Sequence, residues 1–257
     1  MPAKTEHIMN KPPGTPMSTT TEMETDRAAL LASLRARLAR GSAAQGTRPR
    51  ISLCPEIDAT LPEGGLPGAC LHEILAAEPG AATGFATLLL ARAQALNPSG
   101  SVLWISQDPD AYPQGLARLG LAPQHLVLVR APRAQDALWA TEEAARCPAV
   151  AATLLHSPLR EGPDMTACRR LQLAAETGGG LTVLLGPDTD TPAPSPARSR
   201  WRVRAAAEGA GHGQPAWELE LLLHRGGVPR RWNCTWNPVQ DRLSVLESSP
   251  TERRRRG

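Results

Sequence analysis

Residues 71 to 96 read L-H-E-I-L-A-A-E-P-G-A-A-T-G-F-A-T-L-L-L-A-R-A-Q-A-L, and this stretch narrows the choice of fold more than any other. An apolar run of strand length, Leu71 to Ala77, meets a turn holding Pro79, Gly80 and Gly84, and an Ala/Leu-rich segment then continues without a breaker to Pro98. Strand, phosphate-type loop and helix are the outline. The groups that drive such a loop are missing. A working loop reads G-x-x-x-x-G-K-[ST], with the lysine on the β/γ-phosphates and the hydroxyl on Mg²⁺. With Gly84 as the second glycine, Phe85 takes the lysine place and Ala86 the hydroxyl place; Pro79 takes the first-glycine place, Gly80 comes one place late, and Thr83 precedes Gly84. The only lysines in the chain are Lys4 and Lys11. One charge contact at roughly 4 Å and an effective dielectric of about 20 is worth roughly 4 kcal/mol, about three decades in a rate or equilibrium constant. The loop is therefore expected to persist as architecture, with no catalytic residue, no metal, no cofactor and no ATP binding.

The rest of the chain repeats the strand-helix alternation. Strand Val102 to Ser106, a loop with Asp108, Pro109 and Asp110, a helix around Gln114 to Leu119 and strand Leu126 to Val129 come first. Helix Ala134 to Arg146, strand Val150 to Leu155, helix Met165 to Thr177, a Gly178-Gly179-Gly180 break and strand Leu181 to Leu185 follow. Short strands alternating with helices imply crossover units, hence an α/β fold with a mainly parallel central sheet and helices on both faces. After Gly186 a Pro/Ser loop leads into a C-terminal antiparallel extension, with strands Trp201 to Ala205, Trp217 to His224 and Arg231 to Trp236 and a turn at Gly226-Gly227. The expected organisation is a disordered leader over 1-24, an N-terminal helix and linker over 25-50, the α/β domain with its β arm over 51-240, and a polar, basic tail over 241-257. In the second segment Leu30, Leu31, Leu34 and Leu38 share one helical face up to Gly41. That helix either docks a partner or folds back on its own domain.

Charge and cysteine usage exclude several classes. The net charge of +3 equals that of the last ten residues, where Arg253, Arg254, Arg255 and Arg256 face only Glu252, so the remaining chain is neutral. A neutral body does not advertise general nucleic-acid binding. Five cysteines with no C-x₂-C spacing suggest buried thiols rather than zinc or disulfides. The polar, Pro-bearing start and the lack of a long apolar run predict a cytoplasmic protein without a membrane segment.

Residue strings then carry a resemblance. The turn G-G-L-P-G over 64-68 leading through L-H-E-I, and the stretch V-L-W-I-S-Q-D-P-D-A-Y-P-Q-G-L-A-R-L-G-L over 102-121, resemble the core of the RecA superfamily. L-W-A-T-E-E-A-A-R-C-P (138-148), A-C-R-R-L-Q-L-A-A-E (167-176), S-R-W-R-V (199-203) and W-E-L-E-L-L-L-H-R-G-G-V-P-R-R-W (217-232) resemble the ImuA family, RecA-like accessory proteins of bacterial mutagenic translesion synthesis. The resemblance implies a RecA-like P-loop fold whose site has lost its chemistry, since Asp108 falls where recombinases carry a catalytic glutamate and His156-Ser157 where a Mg²⁺-facing aspartate is due. It implies a non-catalytic role in SOS-induced mutagenic synthesis, nucleoid-associated when damage is present. The implied partners are an ImuB-like Y-family protein, an error-prone C-family DNA polymerase and RecA.

The resemblance also places single-strand-binding loops near Ser157 to Asp164, with Arg160, and Pro187 to Arg200. Arg198, Arg200, Arg202 and Arg204 alternate, so on a strand they share a face, with Trp201 between them. A positive row beside an aromatic suits single-stranded DNA; a solvated strand face over a buried tryptophan is the other reading. Two further classes stay open: an active RecA-type ATPase with a relocated cation such as Arg92, and a SulA-like cell division inhibitor.

Overall fold

The structure is a computed structural model, and it describes residues 49-157, 162-206 and 214-246. The expected helix over 26-40, Arg160 and the Arg253 to Arg256 run lie outside the described residues. The chain enters through a two-residue strand β1 (Arg50–Ile51), a short helix α1 (Pro55–Asp58) and β2 (Leu66–Pro67), which pairs antiparallel with β1. Then come β3 (Leu71–Ala76), α2 (Pro79–Leu96), β4 (Ser101–Ser106), α3 (Pro113–Ala117), β5 (Leu126–Arg130), α4 (Ala134–Arg146), β6 (Val150–His156), α5 (Met165–Gly178) and β7 (Leu181–Pro187). Four strands close the series: β8 (Ser199–Ala205), β9 (Ala216–His224), β10 (Arg230–Asn237) and β11 (Arg242–Val245).

Nine strands form one sheet in the order β11-β10-β9-β8-β3-β7-β6-β4-β5. From β8 to β5 every pairing is parallel, and from β8 to β11 every pairing is antiparallel. Strand β3 lies at the centre, with Ile74 opposite Leu185 on one side and Trp201 on the other. Period-two alternation divides the apolar side chains between two layers. Ile74, Trp104, Leu154, Val183 and Trp201 pack with α2, whereas Leu71, Ile105, Leu155 and Leu184 pack with residues of α4 and α5. Helix α2 is apolar on nearly every side because Ile51, Leu53, Ile57 and Leu66 of the entry segment belong to the same cluster. Helix α5 stops where expected: Gly179, at φ 84, takes the left-handed cap and its N–H bonds the Ala175 carbonyl.

Two expectations need correction. Strand β8 is not simply the first strand of an antiparallel arm, because it completes the parallel sheet against β3 and only its other edge is antiparallel. The strands beyond it are core as well: Trp217, Leu219, Leu221, Cys234 and Trp236 join the α2 layer. The polar tail does not begin at 241, since β11 pairs with β10 and buries Leu243. No helix among the described residues is long and apolar enough to cross a membrane.

Candidate functional site

The β3–α2 junction is the segment the sequence marks as a phosphate-type loop. Only Ala77 and Glu78 separate β3 from α2, and the helix opens with Pro79 at its first position, where the fixed φ of proline suits it and its missing N–H costs nothing. Gly80, Thr83, Gly84, Phe85 and Ala86 therefore lie in the first two turns of the helix, not in a loop. Burial explains why. Ala82, Phe85 and Ala86, at helical spacing, are fully buried. The Phe85 ring lies 5.5 Å from that of Trp201 and 6.3 Å from that of Trp217. Gly84 faces Trp217 so closely that a Cβ would come within 3.1 Å of its ring. The side chain in the lysine place thus points into the hydrophobic core.

The other residues matched to recombinase chemistry are separate from this junction. Asp108 has a 90% exposed side chain and lies 3.6 Å from Arg130. His156 ends β6 opposite Ser106 and Leu185. Among the described residues no group of three or more His, Cys, Asp or Glu side chains is placed to hold a metal ion. Arg92 donates to the Asp241 carboxylate at 3.1 Å and lies over the Trp236 ring, so it is occupied at the β11 end.

The arginine row exists, but it is not a free positive surface. Arg200, Arg202 and Arg204 share a face of β8, and the sheet register sets a carboxylate beside each: Glu73 opposite Arg200, Glu220 opposite Arg202 and Glu218 opposite Arg204. Arg200 Nε donates to Glu73 at 2.6 Å, and the Ser195 hydroxyl bonds the other Glu73 oxygen. Arg202 Nε donates to both Asp188 oxygens at 2.8 and 3.0 Å. Hydrogen bonding to Asp188 raises the Arg202 guanidinium further. Burial alone would raise the Glu220 carboxyl, but bonds from Arg231 and Arg202 outweigh it and hold it below its usual range. Arg198 is paired with Glu63. Trp201 points to the opposite face, fully buried, with its Nε1 donating to the Ser199 hydroxyl at 2.9 Å. It is not available to stack on a base. The carboxylates were overlooked in the sequence, although W-E-L-E-L already spaces Glu218 and Glu220 at the period of the arginines.

Beneath the row lies a buried polar chain. His72 is fully buried, with Nε2 2.8 Å from the Pro67 carbonyl and Nδ1 2.7 Å from the Ser199 hydroxyl. Because Nε2 must donate to the carbonyl, Nδ1 accepts from Ser199. Burial pushes the His72 imidazole down to about 4. His224, opposite Ser199, is buried too, and burial lowers its imidazole below the usual range.

No protein-family model matches the chain. Over 135 residues it is 38% identical to Protein ImuA of Caulobacter vibrioides, in strains NA1000 / CB15N and ATCC 19089 / CIP 103742 / CB 15. The match covers 51% of this chain and 54% of the relative, so the chain spans about half the length of the curated relatives it matches. Over that half it is ImuA-like.

Proposed function

We propose that this chain is a RecA-like, non-catalytic accessory factor of SOS-induced mutagenic translesion synthesis, acting through protein contacts within a mutasome. Similarity to Protein ImuA supports the DNA-damage setting, and the parallel sheet centred on the β3–α2 unit supports the RecA-like reading. Its partners on this reading are an ImuB-like Y-family protein, an error-prone C-family polymerase and RecA, reached in the cytoplasm and at the damaged nucleoid. The observation that carries the non-catalytic part is Phe85, buried against Trp201 and Trp217 where phosphoryl transfer needs an exposed cation. A pseudo-ATPase in this sense keeps the strand-helix unit for shape alone.

Equilibrium titration of the purified chain with a fluorescent ATP analogue and Mg²⁺ tests this directly. No saturable binding and no phosphate release are expected. Micromolar binding abolished by Gly84→Asp, or Mg²⁺-dependent hydrolysis abolished by Asp108→Asn, would instead support an active ATPase. Damage-induced mutation frequency in cells deleted for the chain provides the biological arm: the full chain restores it, and so does Asp108→Asn.

A further inference from the structure

A cleft of about 770 Å³ opens at the C-terminal ends of β3 and β7, between the start of α5 and the loop joining β7 to β8. Ligands of open parallel sheets collect at such strand ends. Its lining is mainly apolar, with Leu75, Met165 and Leu184 among the contributors, and Arg200 and Glu73 meet at its base. Cys168 also lines it, but burial pushes that thiol up to about 12, so at neutral pH the cleft holds no thiolate nucleophile. Its build is that of a binding site.

We propose that this cleft docks an extended segment of a partner polypeptide, which inserts one large apolar side chain with an arginine or lysine beside it. Charge selects the partner. Among the described residues the lining carries Glu73 and Asp164 against Arg200, and Arg200 is already paired with Glu73. Among the described residues the lining carries one net negative charge, which disfavours a polyanion, and no aromatic side chain lines the cleft for a base to stack on. The loop wall selects an extended chain. Pro192 and Pro194 keep it out of the sheet, and the backbone N–H groups of Thr189, Asp190, Thr191 and Ala193 have no acceptor among the described residues. The proposal stands on this geometry and not on the DNA-damage reading.

Fluorescence anisotropy of the full chain tests it with two labelled decapeptides, each carrying a central Leu-Trp, one flanked by arginines and one by glutamates. The arginine peptide binds about tenfold more tightly than the glutamate peptide. Ala193→Trp, on the exposed rim, fills the cleft and weakens that binding about tenfold at an unchanged melting temperature. Met165→Arg weakens it and Met165→Glu strengthens it. Equal binding of the two peptides, no binding, indifference to Ala193→Trp and Met165→Arg, or displacement by single-stranded oligothymidylate would each overturn the proposal.

Discussion

Phe85 shows how burial fixes where one side chain can point. A lysine at that position would enter a core formed by Trp201 and Trp217. Phe85→Lys removes a buried ring and leaves an ammonium without a partner, so it should cost about 4 kcal/mol or more. Its urea midpoint should fall sharply, with no gain of nucleotide binding. His72 sets a second residue-scale expectation. Its folded value of about 4 lies below its ordinary 6.5, so the unfolded chain takes up a proton first as the pH falls. Stability from this residue is complete above pH 6.5 and is lost progressively down to about pH 4, by about 3 kcal/mol in total. Denaturation at pH 7 and pH 4.5 measures this loss, and His72→Gln should flatten the slope. The missing lysine and hydroxyl were legible in the sequence by simple spacing. The direction in which Phe85 points was not, because proline and alanine propensities together with burial extend the helix back to Pro79.

At the scale of elements, β8 joins the two halves of the sheet, and its ion pairs are the register made visible. Arg202 is shared by Asp188 and Glu220, all three being largely buried. Arg202→Met removes the closest cation from Asp188, leaving it only Arg204 at 3.8 Å, while Glu220 keeps Arg231, and should destabilise by about 2 kcal/mol. Affinity for single-stranded DNA should change little, since this guanidinium is already neutralised. An electrophoretic titration with oligothymidylate beside a thermal melt separates the two effects. Helices α4 and α5 meet at a second constrained point. A Cβ on Gly178 would run into the backbone carbonyl of Ala145, so Gly178→Ala must push the helix ends apart. A loss of about 2 kcal/mol is expected, read as a lower melting temperature. Most elements were legible from periodicity: α4 begins and ends at the expected residues, Ala134 and Arg146. Strand β11 was not, because it shows a single buried leucine in a polar stretch and exists through its pairing with β10.

The whole molecule depends on strands that look peripheral in sequence. Trp217, Leu219, Cys234, Trp236 and Leu243 belong to the same core as α2. A chain ending at residue 206 would uncover the antiparallel edge of β8 and the rings of Trp201 and Phe85. It should lose near-ultraviolet circular dichroism and be digested by trypsin much faster than the full chain. By itself the sequence determined the alternation of strands and helices, the parallel character of the sheet and the absence of a phosphate-binding lysine, because these follow from residue type and local period. Only the tertiary structure decided that the glycine turn becomes helix, that the β8 arginines are neutralised and that a cleft with a net negative lining opens beside them. Each of those outcomes depends on side chains that sheet register brings together from strands and loops far apart along the chain.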